Sequence, residues 1–179
     1  MDFNEVVSSR ESIRSFEERK VEDSVLSKIV EHASKAPSPA NLQPWQFLVV
    51  KNKDLIEKVA NTTYSGLVKD SPPQLWIKTA PALIIVYFTP RYLVARIGED
   101  GRDQGLLCTG AAVENLLLSA VNFGLGACWV GNFKKEELKG LINLSRDEEV
   151  VAIIPIGYPK ELHNSPPKLP LEEVMTVME

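Results

Sequence analysis

Apolar residues recur every three or four positions in two early stretches of the chain. Phe3, Val6 and Val7 predict a short helix over residues 2–10. Val25, Leu26, Ile29, Val30 and Ala33 predict a second from Glu22 to Ala36, stopped by Pro37 and Pro39. The pattern then changes. "WQFLVVK" (45–51) is β-branched and aromatic, which predicts a strand. Residues 53–62 return to the helical period, and "ALIIVYF" (82–88) is continuously apolar, as in a strand buried on both faces. The polar stretch 95–105 reads as a loop. Residues 106–123 are apolar nearly all round and predict a long central helix covered on several sides. "GLGACWVG" then carries a short strand, "KKEELKGLI" a helix, and "EVVAIIPIGYP" a last core strand ending at Gly157. Pro166, Pro167 and Pro170 keep the tail from packing as a helix there, so an extended arm is expected, with a short strand or turn at "LEEVMTV".

These elements describe an α+β protein with about four core strands and helices around them. A length of 179 residues suits one domain, 1–179, whose last stretch (160–179) forms the arm. The signatures of the common nucleotide folds are absent: "GLGACWVG" lacks G-x-G-x-x-G spacing, and there is no P-loop. A net charge of -4 argues against nucleic acid as a partner, because such binders need a basic surface. The longest strongly apolar run falls far short of the roughly 20 residues that cross a bilayer, so no membrane association is expected. The acidic N-terminus is unlike a secretory signal. Cys108 and Cys128 make no disulfide framework, which favours a reducing, cytoplasmic location. No metal is expected, since His32 and His163 stand far apart with no other ligand at metal spacing. His32 reads as an ordinary helix histidine and His163 as an inert loop residue.

The chemistry begins at "SSRESIRSF" (8–16), where Arg10 and Arg14 flank Ser12. Charges at this spacing often mark a solvated helix face. Three further segments give the cluster a context: "APSPANLQPWQFLVV", "AAVENLLLSAVNFGLGACWVG" and "IGYP…PPKLPLEEV". Together, in this order, the four resemble the motifs of the nitroreductase family of FMN-dependent NAD(P)H oxidoreductases over nearly the whole chain.

That resemblance implies a central, mostly antiparallel sheet of four to five strands surrounded by helices, in an intertwined homodimer with shared active sites. It implies FMN as cofactor and NADH or NADPH as electron donor. The acceptor would be a small molecule such as a nitroaromatic or quinone, served in a ping-pong cycle. A phosphate dianion needs converging cations, since an unpaired buried charge is costly. The family pattern assigns that task to Arg10 and Lys168, with Ser12 donating a hydrogen bond and Glu11 contributing only its backbone. It places Arg14 at the pyrimidine edge of the flavin, where a fixed cation favours the reduced anionic ring. Pro37, Ser38, Pro39 and Asn41 would come from the other subunit. Gly131, flanked by Trp129 and Val130, would bring a backbone N–H to the ring nitrogen that receives hydride. No side chain is needed as a catalytic acid or nucleophile. Trp45 is expected to anchor its strand in the core. Two positions depart from the family pattern: Pro39, where relatives often have serine, and Cys108, where many have aspartate. The alternatives are a specialised flavin enzyme of the same family, dehalogenating or flavin-consuming, and an FMN-binding or sensing protein without turnover. Residues 61–105 carry no signal that identifies the substrate.

Overall fold

The computed structural model describes residues 1–161 and 166–178. Its helices are α1 (Phe3–Ser9), α2 (Asp23–Ala33), α3 (Lys53–Thr62), α4 (Pro90–Ile97), α5 (Gly101–Asn122), α6 (Lys135–Leu141) and α7 (Leu171–Val174). The strands are β1 (Trp45–Val50), β2 (Ala82–Phe88), β3 (Gly126–Ala127) and β4 (Glu149–Gly157), arranged in the order β1-β2-β4-β3. All neighbours are antiparallel: Trp45 lies opposite Phe88, Ala82 opposite Ile156, and Gly126 opposite Gly157.

The period-2 pleat divides β2 between two cores. Leu83 and Ile85 face one side with Ile56, Val59 and Leu138, from α3 and α6. Ala82, Ile84 and Val86 face the other with Ile29, Val113, Leu116 and Ala120, from α2 and α5. Both faces of β2 are therefore covered, as its unbroken apolar run predicts. Trp45 is buried at the start of β1, beside Ala36, Cys108 and Ala112. By length and composition alone α5 could cross a bilayer. Here it packs instead on α2, α4 and the sheet.

Three expectations need correction. α2 ends at Ala33, three residues short of Ala36 and ahead of both prolines. The Lys35 and Ala36 amides turn back onto the His32 and Ala33 carbonyls, and this turn carries Ala36 under Trp45. The expected loop 95–105 is mostly helix. Pro90 opens α4, and Gly98, at φ 86°, ends it. The long helix then starts at Gly101 rather than Leu106, and it ends at Asn122. Gly101 and Gly105 weaken a helix by propensity, but here they admit a close crossing. A Cβ on Gly101 would meet the Leu93 backbone at 2.5 Å, and one on Gly105 would meet the Phe88 ring at 2.5 Å. In the tail, where "LEEVMTV" predicts a strand or turn, residues 171–174 form a single helical turn after Pro170. His163 lies outside the described residues.

Candidate functional site

The Arg10–Arg14 cluster is not a helix face. α1 is closed at its start by a reciprocal capping box between Asp2 and Glu5, and it ends at Ser9. Arg10 is its C-cap, with an extended backbone (φ -65°, ψ 118°). The chain continues extended and docks on β3. Ser12 forms a parallel bridge with Ala127, and the Ile13 amide donates to the Ala127 carbonyl (3.0 Å). Ile13 is buried, so alternate residues Ser12 and Arg14 point away from the core.

Gly126 permits this docking. A Cβ there would meet Ile13 Cγ1 at 2.5 Å and Ile13 Cβ at 2.7 Å. The pairing brings the cluster to Cys128. Burial pushes the Cys128 thiol up, while Arg14, the Ser12 hydroxyl and Arg10 pull it the other way. The Arg10 side chain, 22% exposed, makes no side-chain hydrogen bond among the described residues. Its one ionic neighbour among them is Glu114 of α5, 3.9 Å from Nε. The Arg14 guanidinium makes only a long contact to the Ser12 carbonyl, at 3.5 Å. Two arginines, a hydroxyl and a β3 turn thus converge with most of their donors uncommitted. Such a group can hold an anion at one end and an electron-rich ring edge at the other.

The turn after β3 completes this face. Val130 exchanges hydrogen bonds with Ile153 (2.9 and 3.0 Å), so its side chain belongs to the core. Trp129 is 39% exposed and stands over Gly110 of α5, its nearest ring carbon 3.8 Å from where a Cβ would lie. Gly131 is exposed, and its amide donates to no group among the described residues. A side chain at 131 would meet only the Trp129 indole nitrogen, at 3.8 Å. Among the described residues nothing therefore requires glycine at that position. The segment that follows is tied to the 63–74 connection. The Tyr64 amide donates to the Asn132 carbonyl (3.1 Å), and Asn132 Nδ2 donates to the Gly66 carbonyl (2.9 Å). Leu67 and Val68, next after Gly66 in the chain, are exposed.

Other expected residues stand apart from this group within one chain. The loop bearing Pro37, Ser38, Pro39 and Asn41 packs, through Ala36, on the Cys108–Ala112 face of α5. It is held in shape by hydrogen bonds to its own backbone. Ser38 Oγ accepts from the Gln43 amide (2.9 Å), and the Asn41 amide donates to the Ser38 carbonyl (3.0 Å). Ala40, Asn41 and Gln43 all have positive φ, at 49°, 55° and 45°, a costly conformation for three non-glycine residues in one loop. The Asn41 side chain is exposed, with no hydrogen bond among the described residues. Lys168 is exposed on the tail and makes no ion pair with the cluster. Glu11 is half-buried. Two surface cavities, of about 280 and 380 Å³, lie elsewhere, against His32 and Ser119 and against Phe47 and Val49. His32 is engaged there with Ser119 (2.8 Å) and stacks on Phe123. Among the described residues no cluster of His, Cys, Asp or Glu could hold a metal.

Gly126 and Glu114 were not singled out by sequence reasoning. Gly126 stood in view within "GLGACWVG", yet its partner Ile13 is remote in sequence. Glu114 gave no signal beyond being a lone charge in an apolar helix.

Comparison with known proteins gives this geometry a family. A protein of Methanothermobacter thermautotrophicus, provisionally named NADH dehydrogenase/NAD(P)H nitroreductase, is 33% identical over 166 residues, 90% of this chain and 79% of its own. An iodotyrosine deiodinase of Hydra vulgaris is 30% identical over an alignment of 196 positions, 97% of this chain and 72% of its own. The solved structure of an FMN-dependent nitroreductase of Clostridium difficile shares the fold with a TM-score of 0.81 at 23% identity, covering 97% of this chain and 98% of its own. The sequence profile of the nitroreductase family matches residues 7–158, from just before the arginine cluster to the end of β4, and the chain belongs to that family.

Proposed function

We propose that the protein is an FMN-dependent oxidoreductase that takes electrons from NADH or NADPH and passes them to a small acceptor such as a quinone or nitroaromatic. The observation that carries this reading is the docking of Ser12–Ile13 on Ala127, which joins Arg10, Ser12 and Arg14 to the turn ending at Gly131. Those residues fit FMN: a partly covered arginine with uncommitted donors suits a phosphate, and an exposed arginine near Cys128, in the turn that ends at the open Gly131 amide, suits the ring. Bound FMN would supply the hydride chemistry, which belongs to the cofactor.

The chain's own residues then bind and orient. Arg10 offers its planar fork to the phosphate, with Ser12 donating beside it and Lys168 adding a point charge from the tail. Glu11 contributes its backbone only. Arg14 sets a fixed positive charge against the pyrimidine edge, which favours the ring when it carries extra electrons. The Gly131 amide, next after Trp129 and Val130 in the turn, would donate to the ring nitrogen. The rigid loop of Pro37, Ser38, Pro39 and Asn41 is supplied by a second copy of the chain, already held in its binding shape. The two thiols are free, in keeping with a cytoplasmic enzyme.

The test is spectroscopic. The purified protein should be yellow, release FMN rather than FAD on denaturation, and bleach rapidly when mixed with NADH or NADPH without oxygen. Bound FMN that neither nicotinamide bleaches would make it a flavin-binding protein without turnover. A protein that takes up no FMN would defeat the reading altogether. The resemblance to the Hydra deiodinase favours one addition to the acceptor panel, an iodinated phenol, whose turnover in place of quinones would indicate reductive dehalogenation.

A further inference from the structure

We propose that Glu114 is the resident anion of the phosphate site: it balances Arg10 when no phosphate is bound and opposes the phosphate when one arrives. The inference rests on the reading of Arg10 as a phosphate-binding residue. Glu114 projects from α5, and its Oε1 stands 3.9 Å from Arg10 Nε. That distance is too long for a hydrogen bond and short enough for a charge interaction. The carboxylate, 51% exposed, is not a clamp that fixes the guanidinium, because a clamp would hydrogen-bond to it. It is a charge placed beside one. No other cation pairs with Glu114 among the described residues.

A carboxylate in this position has two consequences. It lowers the cost of keeping a mostly covered arginine unoccupied, and it repels any dianion that approaches the same arginine. Both effects weaken net phosphate binding. Glu114 thus makes the cofactor more readily exchanged than Arg10 alone would. Only the phosphate end is affected, so a flavin lacking phosphate should not sense the carboxylate.

The experiment compares FMN with riboflavin, titrated into apoprotein and followed by flavin fluorescence, for the parent, Glu114→Gln and Arg10→Ala. Glutamine keeps the shape and removes the charge. Glu114→Gln should bind FMN roughly two- to fivefold more tightly at low salt, the range of a single solvent-facing charge pair, with riboflavin affinity unchanged. Raising the salt should shrink the gap. Glu114→Ala should move FMN affinity in the same direction, which separates charge from side-chain shape. FMN affinity that is unchanged or weaker in Glu114→Gln, or a gain shared equally by riboflavin, overturns the proposal. The Arg10→Ala arm tells two failures apart. If it loses FMN at least tenfold while Glu114→Gln gains nothing, only the role of Glu114 falls. If Arg10→Ala binds FMN as well as the parent, the phosphate reading falls and takes this inference with it.

Discussion

At Gly126 a missing side chain positions three charged or polar ones. The space a Cβ would fill holds the Ile13 side chain near its root, at 2.5 to 2.9 Å, where it has little freedom to swing away. Gly126→Ala should therefore push residues 12–14 off β3 and break the Ile13–Ala127 hydrogen bond. Overpacking of this kind costs about 1–3 kcal/mol, readable as a lower urea midpoint. FMN affinity should fall with it, because Arg10, Ser12 and Arg14 are carried on the displaced segment. An alanine variant with parental stability and full FMN binding would show that the docking does not position the cluster. The arginines themselves were legible in the sequence, since the motif and the need for countercharge meet at the same residues. Gly126 was not, because its requirement comes from Ile13 and no local pattern records it.

Among the elements, the strands and the helix α3 were the most legible, because one period decides each. β2 is apolar at every position and is buried on both faces, and α3 repeats its apolar residues on one side. The stretch 95–105 misled because its glycines and charges mimic a loop, whereas Gly101 and Gly105 let α5 pack closely on α4 and β2. The same charges tie the start of α5 to the sheet. Arg102 donates twice to Glu149 of β4, from Nε and Nη2, both at 2.8 Å. The arginine's hydrogen bonds and charge hold the Glu149 carboxyl below the usual carboxylate range. A depressed folded-state value means stability that is present above the unfolded value and lost as pH falls through the folded one. Arg102 is 47% exposed and Glu149 28%, so solvent screening holds the contribution to at most about 1 kcal/mol. Glu149→Gln should thus cost up to that amount at neutral pH, and the gap should close in acid, where the parent's own carboxyl is protonated. Urea unfolding at several pH values checks this. A gap that stayed constant into acid would assign the loss to packing rather than charge.

On the scale of the whole molecule, one chain leaves apolar surface uncovered and holds the 37–41 loop on a different face of α5 from Arg10. Leu107 is exposed on α5, and Leu169, Leu171, Val174, Met175, Val177 and Met178 are exposed along the tail. Apolar surface of this extent is what a second copy of the chain would cover in the proposed dimer. The two halves of the proposed site also attach to different parts of α5. The 37–41 loop rests on the Cys108–Ala112 face, whereas Arg10 approaches Glu114. Glu114 lies six positions after Cys108, about 9 Å along a helix and about a third of a turn around it, and two positions after Ala112, on nearly the opposite side. In the proposed dimer, a two-fold partner would bring Asn41 to Arg10 and yield two equivalent shared sites. Consider Arg10 and Asn41 variants, each too weak in FMN binding to be active as a homodimer. Unfolded together and refolded, they should form mixed dimers in which one site carries both defects and the other carries none. Random pairing makes about half the dimers mixed, so about a quarter of all sites should regain FMN and activity. Mass spectrometry under native conditions would count the mixed dimers, and flavin fluorescence the restored sites. Recovery near zero in a sample rich in mixed dimers would mean that both residues serve one site from the same chain. A sample that stays monomeric throughout would remove the second subunit from the site.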